Sequence, residues 1–343
     1  MNGAPNPRLG FAGVGWIGRH RMNAIAATGE ARIVAVADPD LDAARNAAAE
    51  VGAQAFGSFE ELLDLDLDGI AIATPNALHA SQSLAAFARG MAVFCQKPLG
   101  RSAAETRMVI DAARTADRLL GVDFSYRHTT AVEAMRAEIA NGAIGDLYAA
   151  DLVFHNAYGP DKAWFRDARL SGGGCLLDLG IHLVDLALWV FGAPVVRTTG
   201  RLFANGKPFT RGMGGVEDHA LLQLDLADGA AVRVTCSWNL HAGADADIRA
   251  TFYGTRGAVT MQNENGSFYD FTAARCEGTR RTTLASPPDA WGGRAAIAWM
   301  RRLAEDRGFD ASIERVADVA AVLDSVYALH EPPSTRRALE QTA

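Results

Sequence analysis

The chain has 343 residues, of which 49% are hydrophobic and 21% charged, and its net charge is −7. That length suits two domains rather than one, and the composition is that of a globular chain with no apolar run read as a membrane span. The acidic balance, without a basic block or an Arg/Lys patch interleaved with aromatics, argues against nucleic acid as a partner.

The opening MNGAPNPRLG has no charged-then-apolar signal pattern and reads as a short disordered arm. Residues 9–14, 33–37, 70–73, 92–95 and 119–124 are compact apolar runs of strand length. Helical patterns lie between them at 16–27, 41–51, 79–89 and 103–117, and Ser58 with Glu61 forms a capping box on a short helix. Nearly continuous apolar strands alternating with helices predict a doubly wound parallel sheet covered on both faces, over residues 1–127.

Beyond Arg127 the pattern changes. A helix at 131–140 precedes a strand at 147–154, and three glycines then open a long apolar helix over 175–191. Runs at 220–226, 231–238, 247–253 and 258–261 read as strands, with Ala227-Asp228-Gly229 as a hairpin turn. Helices at 291–306 and 312–329 close the chain. Residues 128–343 therefore read as an α+β domain with helices on one face of an antiparallel or mixed sheet. The four cysteines (Cys95, Cys175, Cys236 and Cys276) lie far apart in or beside apolar segments, as buried thiols of a cytoplasmic protein do.

Four motifs carry chemistry. Gly13-Val14-Gly15-Trp16-Ile17-Gly18 follows a strand and opens a helix, and Asp38 stands twenty positions past Gly18 at the end of the second strand. Glycines there permit a tight turn and close approach to a pyrophosphate, the helix N-terminus offers amides to the phosphates, and Asp38 suits a ribose diol. A carboxylate followed by Pro39 would repel a 2′-phosphate, which favours NAD over NADP. Thr74-Pro75-Asn76 with His79, and Gln96-Lys97-Pro98, end successive strands, where an open parallel sheet lines its ligand crevice. Thr74, Asn76, His79, Gln96 and Lys97 are accordingly counted with the glycine turn as cofactor residues. Each pair also has a plain reading, as a proline turn and as a solvated lysine.

The fourth motif is the helix at 175–191, apolar almost all round except for Asp178, His182 and Asp185. On ideal helix geometry these three fall within an arc of roughly 60°. Buried carboxylates need partners, so the stripe is either a satisfied Asp–His pair or a histidine base oriented by an acid one turn away. Tyr126 and Arg127 end the last parallel strand. His155, Asn156, Tyr158, Lys162, Trp164 and Arg166 crowd the loop before the glycines. Of these, Tyr126, Arg127, His155, Tyr158, Trp164 and Arg166 are candidate contacts for a hydroxylated substrate, with local packing as the alternative. No His, Cys or carboxylate pair has metal-ligand spacing with a third and fourth ligand.

The stretches GFAGVGWIGRHR, VAVADPD, IATPNALHASQSLAAFARGMAVFCQKPL and GGGCLLDLGIHLVDLALWVFG, with the closing EDRGFDASIERVADVAAVLDSVY, resemble the glucose–fructose oxidoreductase / inositol dehydrogenase / rhizopine catabolism (Gfo/Idh/MocA) family. The resemblance implies an N-terminal Rossmann domain and a C-terminal domain with a large open, mostly antiparallel sheet that joins copies into homodimers or homotetramers. It implies Lys97 beside the nicotinamide and the substrate hydroxyl, and Asp178 with His182 as the proton relay. One departure is Gln96, since the family usually carries glutamate before this lysine. The expected activity is NAD-dependent hydride transfer at a carbinol carbon of a sugar, amino sugar or cyclitol, a secondary-metabolite glycoside among them. A glycosidase working by transient oxidation and a non-catalytic dinucleotide-binding regulator are the rival readings.

Overall fold

The computed structural model describes residues 6–212 and 214–332. Residues 1–5 of the ten-residue arm expected at the N-terminus lie outside them, and Arg8 to Gly10 are not an arm but part of the first strand, paired in the sheet. In chain order the first elements are β1 (Arg8–Ala12), α1 (Trp16–Thr28), β2 (Arg32–Ala37), α2 (Leu41–Val51), β3 (Gln54–Phe56), α3 (Phe59–Leu62), β4 (Gly69–Ile72), α4 (Asn76–Ala88), β5 (Ala92–Cys95), α5 (Ala103–Ala116) and β6 (Leu120–Val122). All six strands run parallel in the order β3-β2-β1-β4-β5-β6, the doubly wound arrangement expected from the alternation. The strand order reverses between β1 and β4, so the crevice of this sheet opens at their carboxyl ends.

The next elements are α6 (Thr130–Ala140), β7 (Leu147–Asn156), α7 (Ala168–Ser171), α8 (Ile181–Phe191), β8 (Val195–Ala204), β9 (Lys207–Pro208), β10 (His219–Leu226), β11 (Ala231–Ser237), β12 (Ala246–Gly254), β13 (Gly257–Asn263), β14 (Phe271–Glu277) and β15 (Arg280–Ala285). The last two helices are α9 (Arg294–Glu305) and α10 (Arg315–Ala328). The second sheet has nine strands in the order β15-β14-β13-β12-β7-β11-β10-β8-β9, antiparallel except between β7 and β11. Along β10 and β11 buried and accessible residues alternate, so one face carries the core and the other is open. Helix α8 covers part of the core face, with Phe191 against Phe252 of β12.

The chain divides into two compact units, residues 1–125 with 292–317, and 126–291 with 318–343. This corrects the division at residue 127, because α9 belongs to the first unit. The reason is a slot in the parallel sheet. A Cβ at Gly69 or Gly121 would stand 2.8 or 2.7 Å from the Trp299 ring, so only glycine in β4 and β6 admits that indole. Trp299 also meets Phe94 at 5.6 Å between ring centroids, and Ala296, Met300 and Leu303 complete the buried stripe of α9.

Two further expectations change. The apolar helix at 175–191 is not one regular α-helix: Leu176–Gly180 forms a wider π-helical turn before α8 begins. Gly180 sits where a Cβ would be 3.1 Å from Cys236 Sγ on β11, so the turn lies tight against the sheet. In addition, Ala168–Phe191 is long and apolar enough to cross a bilayer, contrary to the sequence reading, but 78% of its most apolar window is buried inside the protein. It has the character of a core helix.

Candidate active site

The glycine turn has the local geometry its residue types suggest. Gly13 adopts φ +83°, and a Cβ there would meet Ala73 O at 2.6 Å. A Cβ at Gly18 would fall onto Gly13 O, so helix α1 packs on the turn only with glycine present. Gly15 differs: its φ is ordinary at −57° and nothing lies within 4 Å of its missing Cβ. Its glycine serves no packing within the protein and leaves open space in front of the turn. Gly15 is also the N-cap of α1 and supplies no side-chain cap, so the 13-residue helix presents its N-terminal end at the turn. These features fit a dinucleotide pyrophosphate. Asp38 accepts from Val14 N at 2.9 Å with one oxygen and from Asp40 N at 3.0 Å with the other, which fixes the carboxylate at the edge of the turn. Trp16 is 60% exposed and stacks on His20 at 5.6 Å.

At the ends of β4 and β5 the residues divide into buried braces and half-buried groups. His79 is buried, with Nδ1 at 2.7 Å from Pro98 O and Nε2 at 2.6 Å from Thr74 O. Both ring nitrogens lie within hydrogen-bond distance of backbone carbonyls, so His79 ties the two crevice loops together. Burial lowers its pKa, partly offset by those carbonyls. Thr74 Oγ1 donates to Gln82 Oε1 at 2.6 Å, and Asn76 is buried in the first turn of α4. Lys97 is half-buried immediately beyond β5. Gln96 does not face outward. Its Nε2 donates to Asp123, a carboxylate also held by Arg21 Nε at 2.7 Å. Asp123 and Arg21 were not legible as site residues; each is simply a charged residue in an element whose neighbours are apolar.

In the second unit Asp178 lies in the π-helical turn and His182 one residue into α8. Trp238 Nε1 donates to Asp178 Oδ2 at 3.1 Å. His182 is 7% exposed and meets the edge of Tyr126 with ring centroids 4.9 Å apart. Tyr126 in turn packs against Phe154, Phe271 and Trp291, so it acts as the hub of an aromatic wall. Asp185 separates from this group. It is buried and paired with Arg127, through Arg127 Nε to Oδ2 at 2.7 Å and a second bond to Oδ1, while the guanidinium lies over the Trp189 ring at 5.4 Å. Burial raises the Asp185 pKa and Arg127 pulls it back. The expected three-residue stripe is therefore divided: Asp185 is committed to Arg127, while Asp178 contacts Trp238 and His182 contacts Tyr126.

Two of the three consecutive glycines before the turn, Gly173 and Gly174, make room for Tyr327 and Glu217, neither of which was expected at the site. Glu217 Oε1 accepts from Gly174 N at 2.9 Å, Leu176 N at 3.0 Å and Tyr327 Oη at 2.8 Å. Added Cβ atoms at Gly173 and Gly174 would collide with Tyr327 and with the Glu217 backbone. Glu217 thereby holds the start of the helix that carries Asp178 and His182.

The remaining substrate candidates do not gather. Register places His155 opposite Ser237 and Asp247, with His219 one strand further on, all on the open face of the sheet. Phe154, its neighbour, points to the core face and Tyr126, so His155 lies on the wrong side of the sheet for His182. His155 Nδ1 instead contacts Ser237 Oγ at 2.8 Å and stacks on His219. Tyr158 is 51% exposed and its hydroxyl bonds to Asp245. Arg166 is exposed. Trp164 does approach the site, stacking on Phe165 at 3.8 Å, and Phe165 meets Trp238 edge-on.

Comparison with known proteins agrees with the two-unit fold. Residues 8–124 match the model of an oxidoreductase family with an NAD-binding Rossmann fold, and residues 132–260 match the Gfo/Idh/MocA C-terminal domain. The chain belongs to the Gfo/Idh/MocA family. It is thus an NAD(P)-dependent dehydrogenase/reductase. Among Gfo/Idh/MocA relatives, the rhizopine catabolism protein MocA of Rhizobium meliloti is 28% identical over 81% of this chain and 90% of its own length. Mouse trans-1,2-dihydrobenzene-1,2-diol dehydrogenase is 32% identical over 68% of this chain and 67% of its own. A levoglucosan dehydrogenase solved with NADH and L-sorbose superposes with TM-score 0.81 at 22% identity, covering 95% of this chain and 98% of that one.

Proposed function

We propose that this protein uses NAD to oxidise or reduce a carbinol carbon of a sugar, amino sugar or cyclitol. The observation that carries the proposal is the uncapped, open glycine turn with Asp38 fixed at its edge, on the same sheet that presents Lys97 beyond β5. NAD would lie on Gly13, Gly15 and Gly18, with its adenine ribose on Asp38, and when bound it supplies the hydride acceptor or donor. Asp38 disfavours a 2′-phosphate by charge and by leaving no cationic neighbour in Pro39 or Asp40. Lys97 steadies negative charge on the reacting oxygen. His182, in a ring environment set by Tyr126, takes or returns the hydroxyl proton, and Asp178, held by Trp238, orients it. Hydroxylated substrates fit the half-buried aromatic pair Trp164–Phe165 near Trp238. The Gfo/Idh/MocA relatives named for levoglucosan and rhizopine support the substrate class. The open sheet face is the surface by which we expect copies to form a homodimer or homotetramer.

The test is NADH absorbance with NAD or NADP against inositols, aldoses and amino sugars. Turnover with NAD on one stereochemical class is expected, and Lys97→Ala should reduce it by about 10²-fold or more while calorimetric NAD affinity stays the same. Near-normal turnover in Lys97→Ala would sink the assignment of that residue. Tight NAD binding with silence across the panel would sink the substrate class.

A further inference from the structure

Asp123 follows β6 with a side chain wholly shielded from solvent. Its Oδ2 accepts from Arg21 Nε at 2.7 Å and from Gln96 Nε2. Arg21 comes from the buried side of α1, the helix that the glycine turn opens. Gln96 directly precedes Lys97. The backbone is tied at the same place, with Asp123 N donating to Cys95 O at 2.9 Å and Gln96 N to Ile72 O at 2.8 Å. One carboxylate therefore joins the nucleotide helix, the end of β5 and the end of β6 at the point where Lys97 emerges.

The charges there leave no room for a second anion. The groups facing Asp123 are the Arg21 guanidinium, the neutral Gln96 amide, the buried Cys95 thiol and His20, whose Nδ1 lies 3.2 Å from Arg21 Nη1. A glutamate at 96 would set two buried carboxylates against each other with one guanidinium between them, and one of the two would hold its proton.

We propose that Asp123 is the positioning residue for Lys97, and that its network takes the neutral donor of Gln96 because its anion is residue 123. The kinetic half of the proposal rests on Lys97 being catalytic; the stability half does not. Gln96 acts through its donor N–H, and the network requires one carboxylate and one amide without specifying which of the two positions carries each.

The experiment compares wild type, Gln96→Glu and the double variant Gln96→Glu/Asp123→Asn, all as full chains. Thermal unfolding of the protein without nucleotide is followed from pH 5 to pH 8, alongside kcat at saturating NAD. In Gln96→Glu the folded pKa of the new carboxyl is raised above its unfolded value. Its penalty is thus absent below the ordinary carboxylate range and grows as pH rises. The expected result is a Tm close to wild type at pH 5 and lower by about 5 °C or more at pH 8. Its kcat should fall about tenfold or more at pH 8 and recover towards pH 6, where the wild-type profile has no such step. The double variant should return both readouts close to wild type, because donor and acceptor have merely exchanged places.

A double variant no better than Gln96→Glu would overturn the proposal, as would a Gln96→Glu protein whose stability and kcat follow wild type across pH. Should Gln96→Glu not fold, Gln96→Met removes the donor without adding charge. Wild-type kcat in that variant would overturn the proposal, and a loss without pH dependence would support it. If no polyol is turned over by wild type, the stability comparison still decides the network, so failure of the dehydrogenase reading is told apart from failure of this one.

Discussion

Replacing Glu217 with alanine tests whether the helix carrying Asp178 and His182 is held by a single carboxylate. Three donors converge on Glu217 Oε1, from Gly174, Leu176 and Tyr327, and the residue is fully buried. A buried donor left without an acceptor costs about 1–3 kcal/mol. Water entering the vacated space recovers part of that, so the expected loss is about 3–5 kcal/mol, a large share of a stability of order 5–15 kcal/mol. Urea denaturation followed by circular dichroism would read it directly, and a Tm drop of about 10 °C should accompany it. Glu217→Gln keeps one acceptor oxygen and should cost only about 1 kcal/mol at pH 7. The two variants also separate with pH. Burial raises the Glu217 carboxyl above its usual range, with Tyr327 and the two amides opposing. The stability it contributes is therefore complete below the unfolded carboxylate pKa and declines as pH rises, so Glu217→Gln should gain on wild type between pH 5 and pH 8. A Glu217→Ala protein within about 1 kcal/mol of wild type would refute the reasoning.

Asp185→Asn leaves the partly buried Arg127 guanidinium without its counterion and should cost about 3 kcal/mol by chemical denaturation, less in an Arg127→Leu background; equal costs in both backgrounds would deny the coupling. Gly18→Ala puts a Cβ against Gly13 O and 3.1 Å from the Ala73 methyl, so α1 must shift. NAD affinity by calorimetry should fall about tenfold or more, and an unchanged affinity would show that the turn is not the pyrophosphate site. Burial lowers the His79 pKa more than the Pro98 and Thr74 carbonyls raise it, so the fold shifts the residue towards its neutral form. Its contribution is present above the unfolded histidine pKa and lost as pH falls below it, so His79→Leu should flatten the decline of Tm between pH 7 and pH 5. An unchanged slope would point to His20, His155 and His219, which burial also lowers.

Whether a residue could be recognised in advance depended on how far apart its partners lie along the chain. The glycine turn with Asp38, and the Asp178/His182 spacing, are local patterns whose physical meaning is complete within a few dozen residues. The stripe with Asp185 was local too, but the π-helical turn and the Arg127 pairing divided it. His155 stands apart from His182 for a simple reason: strand alternation sends it to the open face, and its membership of β7 was visible only once the strand ran on to Asn156. Asp123, Arg21 and Glu217 gave no signal, because each acquires its meaning from partners 27 to 110 positions away.

By itself, the alternation of continuous apolar runs with helical periods determined the doubly wound domain and its dinucleotide turn, because strand-length apolar runs, a period of 3.6 residues and glycine's backbone freedom are properties of short segments. Tertiary structure alone decided that α9 returns to the first unit, that His79 bridges two loop carbonyls, and that the carboxylate beside Gln96 comes from residue 123. Those outcomes follow from burial. A charged or aromatic side chain removed from water must find its partner wherever the fold has placed one, and that choice is not written in its sequence neighbours.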